Sequence, residues 1–325
     1  MIEVENISFR YAGQEAQVFE DFSLTLKEDN IYGLLGKNGT GKSTLLYLIS
    51  GLLRPKKGSV RFDGLETRLR KPETLQEIFI VPEEFDLPSI SLEQYVRINA
   101  PFYPRFSREV LESCLKDFEL TTDIKLNALS MGQKKKVYMS FALAAGTKLL
   151  LMDEPTNGLD IPGKSQFRKV VAQNMAEGRT LIISTHQVHD VESLLDHILI
   201  LSPRMLLLDA SVAEITEKYS IEYRGVGTSP NPSCRRGTDS DDAFCRRGTD
   251  SDDAFCRRGT DSDDASCRRG TDSDDAFCRR GIDSDVLYSE PSLQGNAVIA
   301  PRRADSPETQ LNLELLFNAV TQGKI

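Results

Sequence analysis

Long apolar runs are missing from this chain. No window of its 325 residues approaches the ~18 consecutive apolar residues that a membrane-crossing helix needs. The first residues, MIEVENISFRYAG, lack the charged-then-apolar pattern of a secretory signal. Basic residues are also short: 40 Lys plus Arg stand against 49 Asp plus Glu, a net charge of −9. A general nucleic-acid binder needs a basic face, so no nucleic acid is expected among the partners. Cysteine is nearly absent from the first 230 residues, where only Cys114 occurs. These shortages predict a cytosolic chain without spans of its own. At 39% hydrophobic content, it can bury a sizeable core in one large domain or two modest ones.

The other five cysteines are Cys234, Cys245, Cys256, Cys267 and Cys278, one every 11 residues. They mark a repeat, CRRGTDSDDAF, that decays to CRRGIDSDVLY by residues 278–288. The unit has few large apolar side chains and cannot bury enough surface to offset the entropy of ordering it. We therefore expect 234–288 to be a disordered insertion. Its DSDD group collects carboxylates, but at a period unlike that of calcium-binding repeats. Its cysteines lack the close pairs of zinc sites. The segment holds ten Arg and fourteen Asp, so four of the nine negative charges belong to it. A disulfide framework is excluded once its cysteines are set aside.

The flanks of the repeat look ordered. SIEYRGVG (220–227) reads as strand then turn, 286–302 alternates, and 308–322 has helical spacing. The expectation is a small C-terminal module, 211–325, interrupted by the repeat. The first 210 residues read as mixed α/β. Early strands are expected at Ile2–Tyr11, Val18–Leu26 and Ser59–Phe62. Continuous apolar runs at 31–35, 148–153, 180–185 and 198–201 suggest a parallel sheet covered on both faces. Two helical stretches within about 87–145 suggest an inserted helical subdomain.

Gly36-Lys37-Asn38-Gly39-Thr40-Gly41-Lys42-Ser43-Thr44 matches G-x-x-x-x-G-K-[ST]. It follows an expected strand and precedes an expected helix, TLLYLISGLL. Its glycines let consecutive N–H groups point at a phosphate, and the helix start adds a favourable dipole. Lys42 can reach the β and γ phosphates, and Ser43 can ligate Mg²⁺.

KLLLMDEP ends a buried-type strand on Asp153 and Glu154. Two adjacent carboxylates there are costly unless they meet a cation or a proton-transfer task. In a phosphate-loop enzyme the first holds Mg²⁺ and the second activates the attacking water. His186 ends the next strand, TLIISTH, where it could reach the γ-phosphate or that water. His189 and His197 read as surface or packing residues.

Leu129-Ser130-Met131-Gly132-Gln133 lies one helix before the carboxylates. The order of phosphate loop, LS-x-GQ, strand-DE and S/T-H resembles the ABC ATPase family, in particular the ATP-binding subunit of an ABC transporter. The resemblance covers about residues 1–210. It implies an α/β fold: a phosphate-loop NTPase core with a parallel sheet, an antiparallel β subdomain and an inserted helical subdomain. It also implies ATP and Mg²⁺. Tyr11 corresponds to the aromatic that stacks on adenine. Ser130, Gly132 and Gln133 correspond to the signature that faces the ATP of a second subunit. Asn157-Gly158-Leu159-Asp160 corresponds to the segment contacting that subunit. Glu154 would be the general base and His186 the switch residue. The implied unit is a dimer, either of two copies or with a paired ABC subunit, closed around two ATP.

Two positions depart from the family pattern. Met131 stands where glycine is common. Glu83, in Val81-Pro82-Glu83-Glu84, stands where a glutamine usually approaches Mg²⁺; its carboxylate keeps an oxygen for the metal. The expected function is ATP hydrolysis powering a separate polytopic membrane subunit, received around 83–100, with the chain peripheral on the inner face of the membrane. The alternative is a soluble ABC ATPase with a non-transport partner. Such chains usually carry two ATPase units or long coiled coils, whereas this one has a single motif set and no heptad array.

Overall fold

The computed structural model describes residues 1–224, 286–292, 295–302, 309 and 311–325. In chain order the strands and helices are β1 (Ile2–Phe9), β2 (Phe19–Leu26), β3 (Ile31–Leu35), α1 (Lys42–Ile49), β4 (Lys57–Phe62), β5 (Leu65–Glu66), α2 (Pro72–Leu75) and β6 (Ile78–Val81). There follow α3 (Leu92–Asn99), α4 (Arg108–Asp117), α5 (Met131–Ala144), β7 (Leu149–Asp153), α6 (Ile161–Asn174), β8 (Thr180–Thr185), β9 (His197–Ser202), β10 (Met205–Ser211) and α7 (Val212–Lys218). The last are β11 (Tyr219–Arg224), β12 (Tyr288–Ser292), β13 (Gly295–Pro301) and α8 (Leu313–Thr321).

The central sheet runs β10-β9-β3-β8-β7-β6. All its neighbours are parallel except β10, which pairs antiparallel to β9. Every residue of β3, β7 and β8 is buried. One face packs on α1 and on β1, β2 and β4, the other on helices including α5 and α6, and strands covered on both faces read as unbroken apolar runs. Phosphate-loop and carboxylate residues thus emerge together at the C-terminal edge of the sheet. The register pairs Asp153 with Ser184 and Leu35 with Thr185.

A second, antiparallel sheet runs β2-β1-β4-β5. β2 alternates buried and exposed residues along most of its length. Helices α3, α4 and α5 lie between β6 and β7 in the chain. α3 and α5 begin with serine capping boxes, Ser91 with Gln94 and Ser130 with Gln133, which satisfy two orphan N–H groups each.

Three strands were not expected from the sequence: β5, only two residues long, β6, four residues long, and β10, a partly exposed edge strand. The expected helix at 44–53 begins two residues earlier and ends at Ile49. Residue 210, taken as a module boundary, falls inside β10. Beyond it β11-β13-β12 form a three-stranded sheet. α8 has two apolar faces. Leu315 and Ala319 pack with Ile221, Tyr288 and Ile299 of that sheet. Leu313, Leu316 and Val320 join the main core with Val188, Val191 and Ile198. Glu192 Oε1 accepts from Leu313 N at 2.8 Å, and the Glu314 carboxylate lies 2.6 Å from His189 Nε2. The last repeat copy ends in Tyr288, the first residue of β12. The expectation made for 234–285 lies outside the described residues.

Among the described residues no helix is long and apolar enough to cross a membrane.

Candidate active site

The loop between β3 and α1 borders a cavity. Gly41 has φ 102° and caps α1 without any side-chain hydrogen bond. A Cβ there would meet Val18 Cγ1 at 2.8 Å, so only glycine fits both the backbone and the space. Helices α3 to α8 all have a Ser, Asp or Asn side chain accepting at their start. The first N–H groups of α1 have no such partner, and they face the loop. That arrangement receives an anion.

A cavity of about 340 Å³ is lined by Tyr11, Gln14, Val18, Asn38, Gly39, Gly41, Lys42, Ser43, Thr44, Glu83 and Glu154. The Tyr11 hydroxyl lies 3.0 Å from Thr44 Oγ1, and its ring meets Phe9 edge-on at 5.0 Å. Gly36 and Thr40 stand behind the loop: Thr40 is buried, and a Cβ on Gly36 would meet Thr40 Oγ1 at 2.6 Å and the Leu201 carbonyl oxygen at 2.7 Å. Buried Lys42 donates to the carbonyls of Gly36 at 2.8 Å and Lys37 at 3.3 Å. Its Nζ is 3.8 Å from Glu154 Oε1. Burial pulls the Lys42 ammonium below its ordinary value, against the fields of Glu154, Asp153 and Glu83.

The two carboxylates at the end of β7 have different surroundings. Asp153 is buried; Ser184 Oγ donates to its Oδ1, while Oδ2 has no hydrogen-bond partner among the described residues. Burial pushes the Asp153 carboxyl above the usual carboxylate range, and the Ser184 and Ser43 hydroxyls only partly offset this. A buried, unpartnered carboxylate oxygen is costly. A cation between Asp153 and Ser43 would remove that cost, so these residues suit a hard divalent metal such as Mg²⁺.

Glu154 is tied down on three sides. Thr185 Oγ1 donates to Oε2 at 3.0 Å, His186 N donates to Oε2 at 3.3 Å, and His186 Nδ1 lies 2.8 Å from Oε1. An ionised carboxylate only accepts, so Nδ1 carries the proton in this contact. The carboxylate therefore faces the cavity with its direction set by the end of β8.

Glu83 reaches the site from the end of β6. Its Oε1 accepts from Asn157 Nδ2 at 2.9 Å, and Asn157 Oδ1 accepts from Gln187 Nε2 at 3.1 Å. Three segments are thereby bridged around the carboxylates. Sequence reasoning singled out Glu83 and Asn157 but not Gln187, Thr185 or Ser184.

Ser130, Gly132, Gln133 and Asp160 are not among the residues that line the cavity. Ser130 and Gln133 cap α5, and Asp160 Oδ1 accepts from Gly163 N at the start of α6. A Cβ on Gly132 would sit 3.0 Å from the Gly158 carbonyl, so the start of α5 lies close against the 157–160 segment.

The family model described as ABC transporter matches residues 19–157. The chain is 31% identical over 221 residues to the ABC transporter ATP-binding protein YtrB of Bacillus subtilis (strain 168), covering 67% of this chain and 75% of the relative. It is 31% identical over 232 residues to the cobalt import ATP-binding protein CbiO of Salmonella paratyphi A (strain ATCC 9150 / SARB42), covering 66% of this chain and 82% of the relative. A solved ATP-binding subunit of an ABC transporter superposes with a TM-score of 0.59 at 26% identity, over 66% of this chain and 91% of its own. The ATP-binding cassette MJ0796, solved as a dimer in a post-hydrolysis state with ADP and Pi, gives 0.58 at 25% identity, over 65% and 99%. Fold, site and relatives agree: the chain belongs to the ABC transporter family, as one of its ATP-binding ATPases.

Proposed function

We propose that this ATPase works as a dimer closed around two ATP molecules and powers a separate membrane subunit. The observation that carries the reading is the cavity at α1, bounded by Glu154 and Glu83, with the unpartnered Asp153 oxygen behind it. The N–H groups at the start of α1 and Lys42 hold the β and γ phosphates. Lys42 exchanges its bonds to Gly36 and Lys37 for phosphate oxygens. Tyr11 supplies a ring face to adenine. Glu154 takes a proton from the water that attacks the γ-phosphorus, and the bond to the ADP oxygen breaks. His186 and Thr185 hold the Glu154 carboxylate in line for that transfer. When bound, Mg²⁺ would be held by Asp153, Ser43 and Glu83 and would offset the charge of the phosphate oxygens.

Glu83→Gln tests the metal assignment. Glutamine keeps the oxygen that accepts from Asn157 and removes one charge. The Mg²⁺ concentration for half-maximal ATPase is expected to rise roughly fivefold, the equivalent of about 1 kcal/mol for one screened charge. An unchanged titration and rate removes Glu83 from the metal site.

The dimer face is supported by exposed apolar residues beside the signature. Met131 is 53% exposed and Ile161 86% exposed, next to Gly132 and Asp160. Ser130 and Gln133 would then face the nucleotide of the second subunit. Homodimer and paired-subunit forms both satisfy this face.

A separate groove of about 650 Å³ supports the membrane partner. Leu52, Arg70 and Pro72 line one side; Asn99, Phe102, Tyr103 and Tyr138 line the other. Phe102 is 68% exposed, and an aromatic held out beside an apolar groove marks an interaction site. Relatives such as the cobalt import ATP-binding protein CbiO supply the transport context. The chain would thus sit on the inner face of the membrane. Phe102→Asp is expected to release it from native membranes with an affinity loss of roughly 30-fold, matching about 2 kcal/mol for a central aromatic anchor. ATPase in solution would be kept. Undiminished co-sedimentation of this variant with membranes counts against the groove as the docking site. Sedimentation with ribosomes instead of membranes favours the non-transport alternative.

A further inference from the structure

The signature helix carries a buried charge that the proposed mechanism does not use. Lys135 is 3% exposed and lies two residues after Gln133. Its Nζ donates to the carbonyl of Glu154 at 3.0 Å and to that of Asn157 at 2.9 Å. Among the described residues, no carboxylate lies within ion-pair distance of it. A buried ammonium bonded only to carbonyls is costly even with the Glu83, Glu154 and Asp153 carboxylates acting on it from farther away, so its placement calls for a reason.

The carbonyls it holds bracket the turn that presents the base. Glu154 has φ 45°, a left-handed backbone unusual for a glutamate. Its N–H donates to the Ser184 carbonyl at 2.9 Å, and its own carbonyl accepts from Asn157 N at 3.2 Å. Lys135 closes this turn from the other side. One ammonium grips its first and last residues, so the Glu154 peptide is fixed by β8 and α5 together. The same grip fixes Asn157, whose side chain bridges Glu83 and Gln187.

We infer that Lys135 is a positioning residue: it holds the strained turn of Glu154–Asn157 onto the signature helix and so aims the Glu154 carboxylate at the attacking water. The inference rests on Glu154 acting as the base. Because Lys135 acts through Glu154, its loss misdirects the carboxylate without touching the phosphates. A displacement of about 1 Å at a reacting group costs on the order of 100-fold in rate.

The test is a double-mutant cycle on the full chain, with phosphate release and fluorescent ATP binding as readouts. Lys135→Met is expected to lower kcat roughly 10- to 100-fold while leaving ATP affinity within about twofold. In a Glu154→Gln background the same change is expected to add less than about twofold, because the group it aims is already gone. Lys135→Gln, which keeps amide donors for the two carbonyls, serves if Lys135→Met lowers the melting temperature, and is expected to fall between the two. Full additivity in the cycle, or a weakened ATP affinity with kcat unchanged, overturns the inference. If Glu154→Gln alone keeps the original rate, the base assignment fails instead, and the two failures are told apart.

Discussion

Glu154→Gln will bind ATP and hydrolyse almost none of it. The substitution preserves size and keeps an oxygen to accept from Thr185 Oγ1 and His186 N, while its amide replaces Oε1 and requires the His186 tautomer whose Nδ1 accepts. What it removes is the lone pair that takes the proton from water. A positioned general base contributes roughly 10²- to 10⁴-fold, and that is the expected loss in kcat. Affinity changes little, because Lys42 stays free to exchange its loop carbonyls for phosphate oxygens and loses only a 3.8 Å contact to Glu154. Without hydrolysis the nucleotide stays between the subunits. Size-exclusion chromatography in ATP is expected to show a stable dimer for this variant and a transient one for the parent. Wild-type phosphate release from Glu154→Gln would show that another group activates the water.

Lys42→Ala acts one step earlier, on binding. Lys42 is buried, and its ammonium is the one cation among the described residues that line the cavity. A hydrogen bond to a charged group is worth about 1.5–3 kcal/mol, so ATP affinity is expected to fall roughly 10- to 100-fold. The loss also leaves the Gly36 carbonyl without its buried donor and Glu154 without its nearest cation. Some melting temperature will therefore be lost even without nucleotide, and the affinity is best read by titration below that temperature. Lys42→Arg is not a rescue, since a planar guanidinium cannot follow the same path beneath the loop. ATP affinity unchanged in Lys42→Ala would refute the phosphate-loop assignment.

The two variants separate because their side chains, 3.8 Å apart, contact different parts of the same substrate. In the proposed mechanism Glu154 faces the water and Lys42 the phosphates. Combined, they will be less than additive, as neighbours in one contact network are.

The strands that carry the site were legible because they are buried on both faces. IYGLL, LLLMD and TLIIST have no polar interruption before their functional ends. β6 was not legible: four apolar residues are too few to tell from a loop or a helix turn. β10 lies at the sheet edge, half exposed, and its pattern is correspondingly weak. Lys135 was hidden in a run of three lysines, which reads as a solvated face. Helical phase carried a signal all the same. Lys135 shares a face with Met139 and Ala142, both fully buried, so one of the three lysines had to point inward.

Sequence alone determined the phosphate loop, the adjacent carboxylates and the family, because each is a short motif whose residue types are dictated by local backbone geometry and charge. Tertiary structure decided the partners. Thr185 and His186 meet Glu154, and Ser184 meets Asp153, only because β7 and β8 lie side by side in a particular register. Lys135 meets the Glu154 turn only because α5 packs across it. The signature residues were named by spacing, yet in the fold they cap α5 outside the cavity of their own chain. Contacts between residues about thirty apart depend on how strands align and helices cross, and no local pattern encodes that.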